Sequence, residues 1–274
     1  MKKILLAFGG PRFSEGIFQF AKWLNEKQPV LLIGVFLPEV VYSNIYAFGS
    51  GLPAADFVPF VGQEDNQLIE KNMNHFTDLC ERNGISYRVH KDYDNLALSE
   101  LKKETRFADL LIISSEKFYT TYGLNDLNPS LTEALHTSEC PIVVVPETFY
   151  FPERNILAYD GSESSVFAIK QFAYLFPELA QNETLLVYAK ENTDPGLPDE
   201  SYIEELATQH FKNLNLLKLH LNPRKFFNTW LSERQNVILV GGSFGRSPAS
   251  ELFQKSFVAK VIAEQKLPVF IAHQ

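Results

Sequence analysis

The apolar stretch Asp109-Leu-Leu-Ile-Ile-Ser-Ser115 recurs later in the chain as Asn236-Val-Ile-Leu-Val-Gly-Gly242. A second apolar run, which begins at Pro141, recurs from Pro268 with the same offset (236 − 109 = 127 and 268 − 141 = 127). A constant offset over two separate runs indicates an internal repeat. A repeat of this length predicts two similar domains, because the units of solenoid proteins are much shorter.

The start of the chain repeats as well, since Ala7-Phe-Gly-Gly10 aligns with Ala158-Tyr-Asp-Gly161 after an apolar run in each copy. We place the two domains at residues 1–147 and 153–274, and 274 residues are enough for two separate cores. The short aromatic linker that joins them, Glu147-Thr-Phe-Tyr-Phe-Pro-Glu153, predicts that the domains pack together.

Short apolar runs alternate with segments of helical period along both copies. Strands are predicted at residues 3–8, 30–37, 85–90, 109–114 and 142–146, and again at 155–159, 184–189, 216–221, 237–240 and 269–272. Helices are predicted at residues 14–27, 63–83, 96–107, 128–138, 164–176, 199–213, 223–233 and 248–265, and a long loop at 38–62. This order predicts an α/β protein with two doubly wound, parallel, five-stranded sheets. Ligands of such folds bind where strands end, at the topological switch point.

Bulk composition excludes several function classes. A formal charge of −8 argues against nucleic acid and acidic lipid as partners. No run approaches the ~20 apolar residues of a membrane span, so we expect no membrane partner and a cytoplasmic location. The two cysteines and six histidines show no ligand spacing, so no metal site and no catalytic residue is predicted.

The segment Gly241-Gly-Ser-Phe-Gly-Arg-Ser247 follows a strand and precedes a predicted helix. Its glycines permit close backbone approach to a ligand, and exposed N–H groups in such a turn bind anions. Gly242, Ser243 and Gly245 are therefore candidate phosphate-binding residues, with Arg246 as a charge partner. The alternative is a plain strand-to-helix turn.

Asp160 and Gly161 end the first strand of the second copy. The carboxylate there is suited to accept hydrogen bonds from a ribose hydroxyl or an adenine amine. The alternative is an aspartate that caps a helix or closes a turn.

Taken together, these motifs resemble those of the universal stress protein family over nearly the whole chain. The family signature Gly-x2-Gly-x9-Gly-Ser/Thr corresponds here to Gly242, Gly245 and Lys255-Ser256, and the family's acidic residue corresponds to Asp160. The resemblance implies an adenine nucleotide alpha hydrolase-like fold and a stress-response module that binds ATP, accompanied by Mg²⁺, in the second domain. It also implies an intrachain pseudo-dimer whose last strands pair antiparallel, at most slow hydrolysis, and association into a homodimer or with an unknown protein partner.

The sequence departs from the signature at Lys255, which stands in place of the third glycine. Its side chain either blocks the phosphate or contacts it through the ammonium group. Ser256, beside it, matches the hydroxyl of the signature.

The first copy has Gly9 in place of the aspartate and Ser115 in place of the glycine, and we expect no nucleotide site there. Pro129, which lies opposite Ser256, also lacks a backbone donor. Two further hypotheses stay open: a structural or interaction module that binds no nucleotide, and an enzyme that acts on another phosphorylated metabolite.

Overall fold

The computed structural model describes residues 1–9, 12–37, 63–91, 97–117, 129–190, 196–220, 223–242, 261–262, 264 and 267–272. The first half contains strands β1 (Lys2–Gly9), β2 (Val30–Leu37), β3 (Ser86–Lys91), β4 (Leu110–Ser114) and β5 (Ile142–Val145), and helices α1 (Glu15–Lys27), α2 (Gln63–Arg82), α3 (Ala97–Arg106) and α4 (Pro129–Thr137). The second half contains strands β6 (Arg154–Ala158), β7 (Glu183–Lys190), β8 (Asn213–His220), β9 (Val237–Gly241) and β10 (Val269–Ile271), and helices α5 (Glu163–Leu175), α6 (Glu200–His210) and α7 (Pro223–Ser232). No helix in these ranges is long and apolar enough to cross a membrane.

The described strands form one sheet in the order β3-β2-β1-β4-β5-β10-β9-β6-β7-β8. All neighbours are parallel except β5 and β10, which pair antiparallel with Val144 opposite Val269. The strand order is the same in both halves when each is read from its outer edge to the centre. This arrangement confirms the predicted α/β class and the antiparallel pairing of the last strands, which covers an edge of each half.

Helices cover both faces of the sheet. Apolar side chains of α1, α2, α5 and α6 share one core cluster, and those of α3, α4 and α7 share a second cluster on the other face. Strands β4, β5 and β9 are buried at every residue. Burial on both faces explains why their sequences are continuously apolar and do not alternate.

Aromatic side chains of the linker pack on α1. The ring of Phe149 lies 5.8 Å from that of Phe20, and the ring of Phe151 lies 5.5 Å from that of Trp23. A Cβ atom added at Gly16 would lie 2.4 Å from the carbonyl oxygen of Pro146. Glycine at this helical position therefore lets the backbone of the linker contact the helix directly.

One predicted boundary is wrong. The sequence predicts a helix to residue 213 and a strand from residue 216, whereas α6 ends at His210 and β8 begins at Asn213. Phe211 is buried and stacks on Phe172 with 6.4 Å between the ring centroids. Because the Phe211 ring is buried in this contact, the helix ends before Phe211, and β8 begins where Asn213 pairs with Glu183. The predicted loop at residues 38–62 and most of the predicted helix at 248–265 lie outside the described residues.

Candidate functional site

Two of the predicted site segments meet at the carboxyl ends of β6 and β9, which are neighbours in the sheet. Gly242, directly after β9, contacts the first turn of α5. A Cβ atom at Gly242 would lie 2.0 Å from the carbonyl oxygen of Ser164 and 2.4 Å from the nitrogen of Ser165. The glycine is therefore required for the end of β9 to approach the N-terminus of α5, where unpaired N–H groups favour an anion.

Asp160 is exposed and forms a turn with Ser162. Its Oδ1 accepts hydrogen bonds from the backbone N–H of Ser162 at 2.9 Å and from the Ser162 hydroxyl at 2.6 Å. The Ser162 hydroxyl in turn caps α5 by accepting from the N–H of Ser165 at 3.2 Å. The carboxylate is thus held by one oxygen, and its Oδ2 accepts no hydrogen bond from a described residue. This geometry is that of the turn aspartate, the alternative raised by the sequence.

The segment after β7 covers the turn that contains Gly161. Gly161 has φ of +83°, and a Cβ atom there would lie 2.7 Å from the Cβ of Pro198. The hydroxyl of Tyr159 donates to the carbonyl oxygen of Pro198 at 2.7 Å, which fixes this segment over the turn. Both the backbone angle and the close contact make glycine necessary at this position.

The described part of this site is acidic. The pKa of Tyr159 is raised by burial and, to a smaller extent, by the nearby carboxylates of Asp199 and Asp160. Glu163, in the first turn of α5, adds a further negative charge. A phosphate group bound here would therefore need a cation beside it. Among the described residues, no group of three acidic, histidine or cysteine side chains is placed to hold a metal ion.

The other predicted site residues, Ser243, Gly245, Arg246, Lys255 and Ser256, lie outside the described residues. The structure describes three of the predicted site residues, Asp160, Gly161 and Gly242. These three lie around the N-terminus of α5.

In the first half, the carboxylate of Glu147 occupies the region beside the N-terminus of α1. It accepts hydrogen bonds from the hydroxyls of Ser14, which caps α1, and of Ser114 at the end of β4, the latter at 3.1 Å. Lys117 forms an ion pair with the same carboxylate, with 2.9 Å between Nζ and Oε2. We call Ser14, Ser114, Lys117 and Glu147 the Glu147 network.

The network is closed by further contacts. Lys117 Nζ also donates to the carbonyl oxygen of Phe13 at 3.0 Å, and the backbone N–H of Lys117 donates to the Ser114 hydroxyl at 3.0 Å. Only 15% of the Glu147 side chain is exposed. An internal anion therefore lies at the position where a helix N-terminus would otherwise accept an anionic ligand.

Sequence reasoning missed Glu147, because the residue was assigned to the linker. A signal was available: Glu147 comes two residues after β5, and in a parallel sheet the segments that follow adjacent strands lie at one edge. Ser114 ends the neighbouring strand β4, so the two side chains were placed to meet.

No family model matches the sequence, and no curated protein matches it. Solved structures do match the fold over its full length. A universal stress protein from Archaeoglobus fulgidus DSM 4304 has a TM-score of 0.73 and 15% identity, with 100% of this chain and 96% of that chain covered. A protein of unknown function from Pseudomonas aeruginosa PAO1 has a TM-score of 0.56 and 13% identity, with 100% and 92% covered.

A third structure, from Pseudomonas aeruginosa UCBPP-PA14, is of a protein assigned provisionally to the universal stress proteins. It has a TM-score of 0.55 and 11% identity, with 100% of this chain and 93% of that chain covered. At such identities the likeness establishes the fold. The chain therefore has the fold of the universal stress proteins over its full length.

Proposed function

We propose that the protein is a two-domain universal stress protein, a stress-response module that binds ATP or another adenine nucleotide in its second half and none in its first. The fold and the signature residues at Gly242, Gly245 and Ser256 support this proposal.

The observation that carries the proposal is the difference between the two halves at equivalent strand ends. In the first half, the Glu147 carboxylate is already bound by Lys117 and two serine hydroxyls beside the N-terminus of α1. In the second half, β9 ends in Gly242 against the N-terminus of α5, and Asp160 beside it is exposed. An anionic ligand would have to displace a partly buried ion pair in the first half, whereas no such pair is formed among the described residues around Asp160 and Gly242.

Asp160 would contact the ribose or the adenine through Oδ2, because Ser162 holds Oδ1 and fixes the orientation of the carboxylate. Phosphate groups would bind the backbone after Gly242 and the hydroxyls of Ser243 and Ser256. The acidic side chains near the turn would repel them, so Mg²⁺ together with Arg246 and Lys255 would supply the compensating charge.

A second candidate function is a structural or interaction module of the same fold that binds no nucleotide. Two observations favour it: Asp160 already serves the turn with Ser162, and Pro198 packs against Gly161. The lysine at position 255 favours it further.

Calorimetric titration of nucleotide-stripped protein with ATP and Mg²⁺ separates these functions. The proposal expects one site per chain, with affinity reduced about tenfold or more in Asp160→Asn, since a hydrogen bond to a charged group is lost. Asparagine keeps the turn acceptor of Asp160, so the variant changes the carboxylate and leaves the turn. Asp78→Asn, on the exposed surface of α2, is the matched control and should bind as the parent does.

Absence of heat and of any thermal shift at millimolar ATP would overturn the proposal and favour the interaction module. Equal affinities for the Asp160→Asn and parent proteins would exclude Asp160 from the site.

A further inference from the structure

A separate cleft of about 510 Å³ lies where the linker enters the second half. It is bordered by the C-terminal end of α1, the first residues of β1 and β2, the linker residues 151–153, and residues 175–182 after α5. Asp160, Gly161 and Gly242, the described residues of the predicted nucleotide site, do not line it. Its volume is that of a site for one small molecule.

The walls of the cleft are aromatic and aliphatic. Trp23 and Phe151 pack on each other in a tilted arrangement with 5.5 Å between ring centroids, and 41% of Phe151 is exposed. Leu24, Phe176 and Leu179 are buried residues that contribute to the lining. The indole N–H of Trp23 donates to no described residue. An aromatic ring of a ligand would contact apolar side chains on several sides of this cleft.

Two cations border the cleft without a carboxylate within ion-pair distance among the described residues. Lys2 donates to the neutral side chain of Gln28, with 2.9 Å between Nζ and Oε1, and Lys27 lies 6.0 Å from the centroid of the Trp23 ring. Burial lowers the pKa of Lys2, and the attraction of Asp109 and Glu178 opposes this shift.

Two carboxylates also line the cleft, those of Glu153 and Glu178, and both already interact with neighbouring residues. Glu153 already accepts a hydrogen bond from the amide of Asn236 at 3.0 Å, and Glu178 lies close enough to Lys2 to favour its charged form. The formal charges of these two lysines and two glutamates cancel, so an anionic group would be favoured by direct contact with the two ammonium groups and not by a net positive charge.

We propose that this cleft binds a small aromatic acid, whose ring packs against the accessible surfaces of Trp23 and Phe151 and whose anionic group contacts Lys2 and Lys27. The proposal is independent of nucleotide binding, because the cleft shares no described residue with the site at Asp160.

The test uses two dyes with one ring system: 8-anilinonaphthalene-1-sulfonate, which is anionic, and N-phenyl-1-naphthylamine, which is neutral. The chain has two tryptophans, so Trp230→Phe leaves Trp23 as the energy donor to a bound dye. We expect saturable transfer from Trp23 with one anionic dye per chain. Lys2→Met and Lys27→Met should each weaken the anionic dye about fivefold and leave the neutral dye unchanged.

The matched controls are neighbours that do not line the cleft. Lys3→Met should leave the affinities for both dyes unchanged. Phe151→Ala, a change in the lining itself, should weaken the binding of both dyes, whereas its control Tyr150→Ala, at an exposed residue, should weaken neither. Energy transfer from Trp23 that does not saturate with dye concentration would overturn the proposal. Equal effects of Lys2→Met and Lys3→Met on the affinity for the anionic dye would also overturn it. Loss of the anionic dye in Asp160→Ala would also overturn it, by assigning the dye to the other site.

Discussion

Replacing Glu147 by alanine should destabilise the protein far more than removal of an ordinary surface glutamate. The carboxylate accepts from two serine hydroxyls and pairs with Lys117, and hydrogen bonds to charged groups contribute about 1.5–3 kcal/mol each. The sum must be reduced, because Lys117 is 35% exposed and the hydroxyls of Ser14 and Ser114 can bind water. We expect the free energy of unfolding to fall by about 2–3 kcal/mol.

The assay is urea unfolding followed by circular dichroism, with the slope m expected to stay constant. Glu183→Ala is the matched control: Glu183 pairs with Arg154 at 3.0 Å, but 60% of its side chain is exposed, so its loss should change stability little. A Glu147→Ala, Lys117→Met double-mutant cycle measures the coupling between the two side chains. Equal midpoints for Glu147→Ala and Glu183→Ala, or a coupling of zero, would refute the reasoning.

Three further predictions concern the second half and the thiols. Gly242→Ala should lower Tm by about 2–8 °C in calorimetry, because its Cβ would lie 2.0 Å from the Ser164 carbonyl oxygen; an unchanged Tm would contradict this contact. Burial raises the pKa values of Cys80 and Cys140 to about 12, so the folded state retains protons that the unfolded state releases. Stability should therefore fall as pH rises from about 9 towards 12, and Ellman's reagent at pH 8 should modify the thiols only after unfolding. Lys255→Gly should weaken ATP binding in calorimetry, because the ammonium charge beside the phosphate is lost, and tighter binding would instead show that the lysine side chain blocks the phosphate.

Much of the fold could be predicted because the strands are buried on both faces. Continuous apolar runs such as those at residues 110–114 and 237–241 can be read directly, and the constant offset between copies indicates two similar sheets. The end of α6 could not be predicted, because burial of the Phe211 ring against Phe172 depends on a helix that is distant in sequence.

The candidate site, like the fold, could be predicted from the sequence only in part. Sequence alone placed Asp160, Gly161 and Gly242 after strands, since local glycine and aspartate chemistry is visible in a turn. The sequence also offered a turn aspartate as the alternative role of Asp160, which the hydrogen bond with Ser162 matches. It did not reveal that Pro198 packs on Gly161, since this contact joins residues far apart in the chain.

The sequence by itself determined the fold class, the order of elements and the strand ends where a ligand would bind, because periodicity and turn chemistry are local properties. Only the tertiary structure decided that the first half's anion position is taken by Glu147, and that linker and α1 enclose a second cleft beside Trp23. Both depend on side chains that are distant in sequence (114 and 147, or 23 and 151) and come together through the sheet and the linker, so the hydrogen bonds and ring contacts themselves follow only from the tertiary structure.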